Sequence, residues 1–112
     1  MPSVLLTDRY TYRVVWSAED GEFVGLCAEF RSLSWLDKTR EAALRGIVRA
    51  VRKVVRDIEK GRETPPSPLA DREYSGSFKV RVPPVVHRDL VIAAAEAGVS
   101  LNRLVSAKLA HG

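Results

Sequence analysis

Residues 77–82 read Ser-Phe-Lys-Val-Arg-Val, and this short stretch decides the fold of the C-terminal part of the chain. Apolar and polar residues alternate strictly, so a strand built from them has one apolar face and one polar face. The apolar residues are Phe78, Val80 and Val82, and the polar ones are Ser77, Lys79 and Arg81. The stretch therefore predicts a single β-strand with a basic side.

Two helices are predicted to follow this strand. Pro83-Pro84 ends the strand and can open a helix, which Gly98 then stops, and Ser100 caps a second helix. Apolar residues recur at helical spacing in both, at Val86, Leu90, Ala93, Ala94 and Ala97 and then at Leu101, Leu104, Val105 and Leu109. The unit is thus one strand and two helices.

A lone strand leaves both of its edges unpaired, and so small a unit cannot stabilise itself. A second copy resolves both problems, because two strands pair antiparallel about a twofold axis and four helices cover the apolar face. We therefore predict a homodimer. Its expected core consists of Phe78, Val80, Val82, Leu90, Leu101, Leu104 and Val105.

The other face of such a ribbon presents Ser77, Lys79 and Arg81, each twice. A two-stranded ribbon fits the major groove of DNA, where Arg and Lys donate to guanine and Ser contacts any base. The second helix offers free amides at its start, at Ser100, Leu101 and Asn102, which suit a backbone phosphate. The plainer interpretation is a solvated strand face, an ordinary N-cap at Ser100 and a surface position at Asn102.

The N-terminal half predicts a three-stranded meander. Residues 10–16 are rich in aromatic and β-branched types, Asp20-Gly21 provides a turn, and residues 22–27 and 31–36 form the second and third strands. A long helix follows, from an N-cap at Thr39 to a stop at Gly61. Its apolar stripe is Leu44, Ile47, Val48, Val51, Val54, Val55 and Ile58.

Residues 62–73 contain three prolines among charged residues, which predicts a semi-rigid linker. The expected fold class is α+β. Residues 1–61 form an N-terminal domain, residues 62–73 the linker, and residues 74–112 the dimerising domain. The chain carries 18 basic and 14 acidic residues, and five of the basic but only two of the acidic ones lie in residues 74–112.

Composition excludes several classes of protein. The single cysteine, Cys27, rules out an intrachain disulfide and a CxxC metal knuckle, and its place in a strand pattern favours a buried apolar role. The first residues lack the basic and apolar segments of a signal peptide, and no apolar run approaches the ~18 residues of a membrane span. These features predict a soluble cytoplasmic protein.

Catalysis is not expected. A metal-dependent nuclease needs carboxylates gathered around metal ions, whereas the candidates fall mostly in turns or at strand ends. They are Asp8, Asp20, Glu22, Glu29 and Asp37. His87 and His111 lack a partner at a known triad or metal spacing. We therefore predict a non-enzyme without cofactor or metal. The arginine-rich side of the long helix is interpreted as solvated, with RNA binding as the alternative.

Two blocks of sequence resemble known families. Residues 74–84, together with Gly98-Val99-Ser100-Leu101-Asn102-Arg103-Leu104-Val105, resemble a ribbon-helix-helix repressor domain of the Arc/MetJ type. Residues 12–16, 23–27, 33–36 and 39–44 resemble the N-terminal domain of HicB-type antitoxins. The two resemblances extend over nearly the whole chain.

The resemblance implies a degenerate RNase H-like N-terminal domain that covers the active site of a small mRNA-cleaving toxin of the HicA type. It also implies a C-terminal domain that oligomerises, as a dimer or a tetramer, binds operator DNA and represses the toxin–antitoxin operon. Three alternatives stay open: a stand-alone repressor with a sensing N-terminal domain, a residual nuclease, and a C-terminal unit that only dimerises.

Overall fold

The computed structural model describes residues 5–112, and the chain divides into two compact units, Met1–Tyr74 and Ser75–Gly112. The described residues form an α+β fold with one three-stranded antiparallel sheet and three α-helices. The strands are β1 (Tyr12–Ser17), β2 (Glu22–Cys27) and β3 (Ser34–Asp37). The helices are α1 (Arg40–Lys60), α2 (Pro84–Ala97) and α3 (Leu101–His111), and short 3-10 turns lie at Leu6–Arg9 and Leu69–Asp71.

The sheet is a meander in the order β1-β2-β3, as the sequence predicts. The hairpin between β1 and β2 closes at the Ser17–Glu22 pair. Gly21 takes the positive φ of 64° that the tight turn requires, and its amide donates to the Ser17 carbonyl at 2.9 Å. The Asp-Gly turn signal is therefore confirmed.

Helix α1 packs on one face of the sheet, and glycine permits the close approach. A Cβ at Gly25 would lie 2.6 Å from the carbonyl oxygen of Ala43 and 2.8 Å from Cγ2 of Ile47. Gly46 of α1 likewise has to be a glycine, because the Trp35 indole occupies the space that a Cβ would need there. The buried core of this unit consists of Tyr10, Cys27, Ile47, Val51 and Val55.

The predicted limits of α1 are confirmed. Thr39 is its N-cap, and the Thr39 hydroxyl accepts a hydrogen bond from the Ala42 amide at 3.1 Å. The predicted apolar stripe needs one correction, since Leu44 is exposed while Ala43 and Gly46 are buried. Ala43 lies directly against Gly25 of β2, and Gly46 lies directly against Trp35 of β3, so these close contacts leave room only for small residues.

Two strand limits also differ from the prediction. The first strand begins at Tyr12 rather than residue 10, because the Tyr10 side chain turns into the core and its hydroxyl donates to the Pro66 carbonyl at 2.8 Å. The third begins at Ser34 rather than residue 31, since a turn precedes it in which the Leu33 amide donates to the Phe30 carbonyl. Both differences arise from tertiary contacts or local turns.

Part of the proline-rich segment packs on the first unit. Pro68 is buried, and the Leu69 amide donates to the Glu29 carboxylate at 2.9 Å. Asp71 forms an ion pair with Arg9. Residues 66–71 are therefore held by the first unit, and the freely spanning part of the predicted linker is shorter than residues 62–73.

In the second unit, both helix boundaries are confirmed. Gly98 ends α2 in the left-handed conformation, with φ 68° and ψ 29°, and the Val99 amide donates to the Ala94 carbonyl at 3.0 Å. Ser100 caps α3 through a hydrogen bond from the Arg103 amide at 3.1 Å. Of the residues in α2 and α3, only Ala94 is fully buried, so the single copy has almost no core.

Across residues 5–112, no single helix is long and apolar enough to cross a membrane. Helices α2 and α3 meet the length and composition criteria only as a pair, and that pair is bent by 102°.

Candidate nucleic-acid and dimer interface

The segment 77–82, predicted to be a strand, is not a paired strand within one chain. It follows Gly76, whose φ is 83°, and it leads directly into α2 at Pro84. The physical reason is that β-pairing needs a partner edge, and the meander of the first unit is the only sheet in the described residues. The strand prediction is thus not confirmed for a single copy.

The apolar side chains of this segment are exposed. The exposed fraction is 73% for Phe78, 63% for Val80 and 42% for Val82. Three large apolar side chains within a segment of six residues are thus exposed to water, which costs free energy. The second unit therefore carries an apolar surface that a single copy does not cover.

A depression of about 960 Å³ adjoins this segment in the second unit. Six of the seven predicted dimer-core residues line it: Phe78, Val80, Val82, Leu90, Leu101 and Val105. The seventh, Leu104, is half-buried and does not line it. The structure thus brings most of the predicted core together around one open cavity.

The predicted base-reading residues are all exposed. The Ser77 amide donates to the Ser75 hydroxyl at 3.0 Å, so the turn before the segment is partly fixed. Arg81 and Ser77 also line the apolar depression, together with Asn102. The strict separation into an apolar and a polar face is therefore absent from the single copy.

The start of α3 has the properties of an anion-binding helix terminus. The Ser100 side chain satisfies the Arg103 amide, while the amides of Leu101 and Asn102 have no acceptor among the described residues. The first turn contains no acidic residue. Free amides and the helix dipole together favour a phosphate at this position.

Four of the five candidate carboxylates of the first unit, all except Glu22, accept hydrogen bonds from neighbouring groups. Asp8 pairs with Arg52 at 2.9 Å, and Asp20 accepts from the Ser17 hydroxyl at 2.8 Å. Asp37 accepts from the Trp35 indole and the Lys38 amide, and these hydrogen bonds lower its pKa. Among residues 5–112, no three His, Cys, Asp or Glu side chains lie together as metal ligands.

The remaining candidate reactive groups are Cys27 and the two histidines. Cys27 is buried, and burial raises the pKa of its thiol to about 11, so the thiol stays protonated. His87 lines the depression of the second unit, and His111 lies in the last turn of α3. The Cys27 thiol itself donates to the Glu29 carboxylate at 3.5 Å, so these two groups are in contact within the first unit.

Glu29 has a structural role that the sequence analysis missed. Its carboxylate accepts hydrogen bonds from the Thr11 amide at 2.8 Å and from the Leu69 amide at 2.9 Å. Burial raises the pKa of Glu29, but these amides outweigh burial and hold the pKa below its usual value. No spacing in the sequence connects residues 11, 29 and 69, so only the fold reveals this contact.

The face of the sheet opposite α1 is apolar and uncovered. Strand register places Val15, Val24 and Leu36 in one row across the three strands, and Leu26 lies beside that row. None of these four side chains is buried, and Leu36 is exposed. The first unit therefore offers a partner an apolar sheet face of its own.

Taken together, the fold defines a class: a small α+β chain whose second unit joins an exposed alternating segment to two helices. The comparison with protein families makes this more specific. Residues 62–109 match the HicB family, a match that extends over almost all of the second unit but over less than half of the chain. No curated protein and no solved structure matches the chain.

Proposed function

We propose that this chain is an antitoxin that neutralises a small mRNA-cleaving toxin by binding over its active site, and that represses its own operon as a DNA-binding dimer. The observation that carries the proposal is the exposed apolar segment of the second unit, within the region that matches the HicB family. The protein acts by occlusion and by repression, with no chemistry of its own.

Dimerisation through residues 77–82 accounts for the exposed side chains of the second unit. Pairing two such segments antiparallel satisfies their backbone amides and carbonyls, and it places Phe78, Val80 and Val82 of both copies over the helices. The open cavity beside the segment is then filled by the partner copy. The result is a ribbon-helix-helix fold made from two chains.

Pairing also sorts the polar side chains onto the outer face of the ribbon. Lys79 and Arg81 then point away from the helices with Ser77, and each occurs twice about the twofold axis. This arrangement suits a pseudo-palindromic operator read in the major groove. The amides of Leu101 and Asn102, at the capped start of α3, hold the flanking phosphates.

The first unit is the toxin-binding domain of the proposal, with a degenerate RNase H-like fold. Its supporting feature is the uncovered apolar face of the sheet, which a partner protein can cover. Apolar interface centres surrounded by polar residues are typical of stable protein complexes. Because four of the five candidate carboxylates are engaged in local hydrogen bonds and ion pairs, we assign the unit a binding role and no nuclease role.

The test of repression is a mobility shift with the chain and the DNA upstream of its own coding sequence. Arg81→Ala is expected to weaken binding by about 1–3 kcal/mol per lost base contact while the dimer persists. The matched control is Arg88→Ala, which removes the same charge from an exposed position in α2. Unchanged binding by Arg81→Ala would remove Arg81 from the base-reading set.

The test of neutralisation uses the small protein encoded beside the chain. Expressed alone it should arrest growth and cleave mRNA, and co-expression of the full chain should restore growth and yield a stable complex. A neighbouring product that neither cleaves RNA nor binds the chain would refute the antitoxin proposal.

One observation favours an alternative function. The family match begins at residue 62, so residues 1–61 lie outside it. A stand-alone repressor whose first unit senses another molecule is consistent with that limit. Operator binding without any toxin partner would support this alternative, whereas loss of mRNA cleavage on complex formation would support the antitoxin.

A further inference from the structure

Helix α1 carries a stripe of five basic residues along one side. They are Arg45, Arg49, Lys53, Arg56 and Lys60, called the basic stripe below. At 3.6 residues per turn they fall within an arc of about 80°, and at 1.5 Å per residue they span about 22 Å. The buried side of α1 lies roughly 160° away around the helix. The stripe therefore points to solvent along most of the helix.

Acidic residues offset the charge of the basic stripe only in part, since Asp57 lines one depression with Arg49, Lys53 and Arg56. All five side chains are exposed, and none of them forms an ion pair with another described residue. Arg52, beside the stripe, differs in being paired with Asp8. Five like charges in such a row repel one another, and the repulsion is relieved when a polyanion binds.

An exposed aromatic side chain adjoins the stripe. Trp35 packs over Gly46 and is 37% exposed. It lines an open depression of about 520 Å³ together with Arg49, Lys53 and Arg56. A positively charged groove combined with an aromatic surface is the usual arrangement of proteins that bind single-stranded nucleic acid.

We propose that the basic stripe of α1 and Trp35 form a binding site for single-stranded nucleic acid, separate from the proposed operator-binding ribbon of the second unit. The five basic side chains bind phosphates along the nucleic-acid backbone, and the exposed part of Trp35 stacks on a base. The site lies wholly within the first unit, so it does not depend on dimerisation or on a toxin.

Two features favour a single strand over other polyanions. The bases of a duplex are stacked inside it, so a duplex could bind the stripe through its phosphates but could not stack a base on Trp35. A helix that lies on an anionic membrane inserts its own apolar face, whereas the apolar face of α1 is already buried against the sheet, at Ile47, Val51 and Val55.

The experiment measures the fluorescence anisotropy of a labelled oligouridine of about 16 nucleotides, the upper site size of single-strand binding folds. The full chain is titrated from about 50 to about 200 mM salt. The test variant is Arg49→Gln/Arg56→Gln. The control is Arg13→Gln/Arg62→Gln, which removes the same charge from exposed positions outside the stripe.

The stripe variant should weaken binding by about tenfold or more and should reduce the salt slope by about 1.4, since each phosphate contact on a single strand contributes about 0.7. The control should bind like the unmodified chain. Trp35→Leu should weaken binding by about tenfold, because stacking is lost, and Trp35→Phe should restore most of it. Thermal melts establish that each variant is folded.

Three results would overturn the proposal. The first is equal weakening by the stripe and control variants, which would indicate attraction by net charge alone. The second is loss of oligouridine binding in Lys79→Ala/Arg81→Ala with no effect of the stripe variant, which would place all binding on the second unit. The third is stripe-dependent binding to phosphatidylserine vesicles without binding to oligouridine, which would assign the stripe to a membrane surface.

Discussion

Truncation of Phe78 is expected to convert the dimer into a monomer. The Phe78 side chain is 73% exposed in the single copy and belongs to the apolar surface that a second copy would cover. Phe78→Ala leaves the helices and their caps untouched, because Phe78 precedes α2 by several residues. The variant therefore changes the proposed interface without changing the fold of either helix.

The magnitude follows from the exposed area. A phenylalanine buries about 150–250 Å² when fully covered, so the exposed part of Phe78 is about 150 Å². At about 25 cal/mol per Å² its burial contributes about 4 kcal/mol, of which alanine would keep a small share. A symmetric dimer loses about 3 kcal/mol from each copy, and about 6 kcal/mol weakens dimerisation by about 10⁴-fold.

Sedimentation equilibrium over a wide range of protein concentrations measures this change directly. The matched control is Trp16→Ala, which removes an aromatic side chain that is 56% exposed but lies in the first unit. The control should dimerise like the unmodified chain. A Phe78→Ala variant with an unchanged dissociation constant would refute the proposed interface, as would an unmodified chain that stays monomeric at high concentration.

Three further outcomes are expected in the first unit, and both tryptophans of the chain report on it by fluorescence. Gly25→Ala should lower the free energy of unfolding by about 1–3 kcal/mol in urea titrations, because the new Cβ would lie 2.6 Å from the Ala43 carbonyl oxygen. The control is Gly61→Ala, which should leave the free energy of unfolding nearly unchanged, since Gly61 has a φ of −76° and the nearest atom would lie 3.5 Å from the new Cβ. Burial raises the pKa of Glu29, but hydrogen bonds from two amides have the larger effect, so the pKa in the folded chain lies below the unfolded value of about 4.5. Ionised Glu29 therefore stabilises the fold above the unfolded pKa, and this stabilisation is lost as pH falls through the folded pKa. Glu29→Gln should therefore be less stable at neutral pH, with the difference shrinking in acid, and a difference independent of pH would contradict this role. Cys27, whose pKa burial raises to about 11, should react with a thiol reagent at pH 8 only after unfolding, and rapid reaction of the folded chain would contradict its burial.

The helices could be predicted from sequence because their signals are local. Thr39 and Ser100 cap helices through hydrogen bonds three residues along the chain, and Gly98 ends α2 in the left-handed conformation that glycine adopts readily. The Asp-Gly turn is equally local. In each case the residues that determine the structure are neighbours in sequence.

The contacts that the sequence did not reveal join distant residues. Glu29 holds residues 11 and 69 together, and Tyr10 binds the carbonyl of Pro66, 56 positions away. Composition alone predicted a spacer for the proline-rich segment, because prolines among charges usually avoid a packed core. Pro68 is nevertheless buried, since the neighbouring amide at Leu69 finds an acceptor in Glu29.

The candidate interface could be predicted from the sequence only in part. Sequence alternation grouped Phe78, Val80 and Val82 on one side of the segment, and all three line one cavity of the second unit. The strand itself does not pair in one copy, because strand pairing is a property of two edges and the second unit contains only one. For this reason we propose that the site is complete only in a pair of chains.

The pairing of residues 77–82 between two copies is the central claim, and hydrogen–deuterium exchange of the backbone amides in this segment tests it most directly. In the dimer, amides between Phe78 and Val82 should exchange slowly, and the protection should disappear in Phe78→Ala or on dilution below the dissociation constant. Exchange as fast as in an unstructured peptide, in a sample that sedimentation shows to be dimeric, would contradict the claim and place the interface elsewhere.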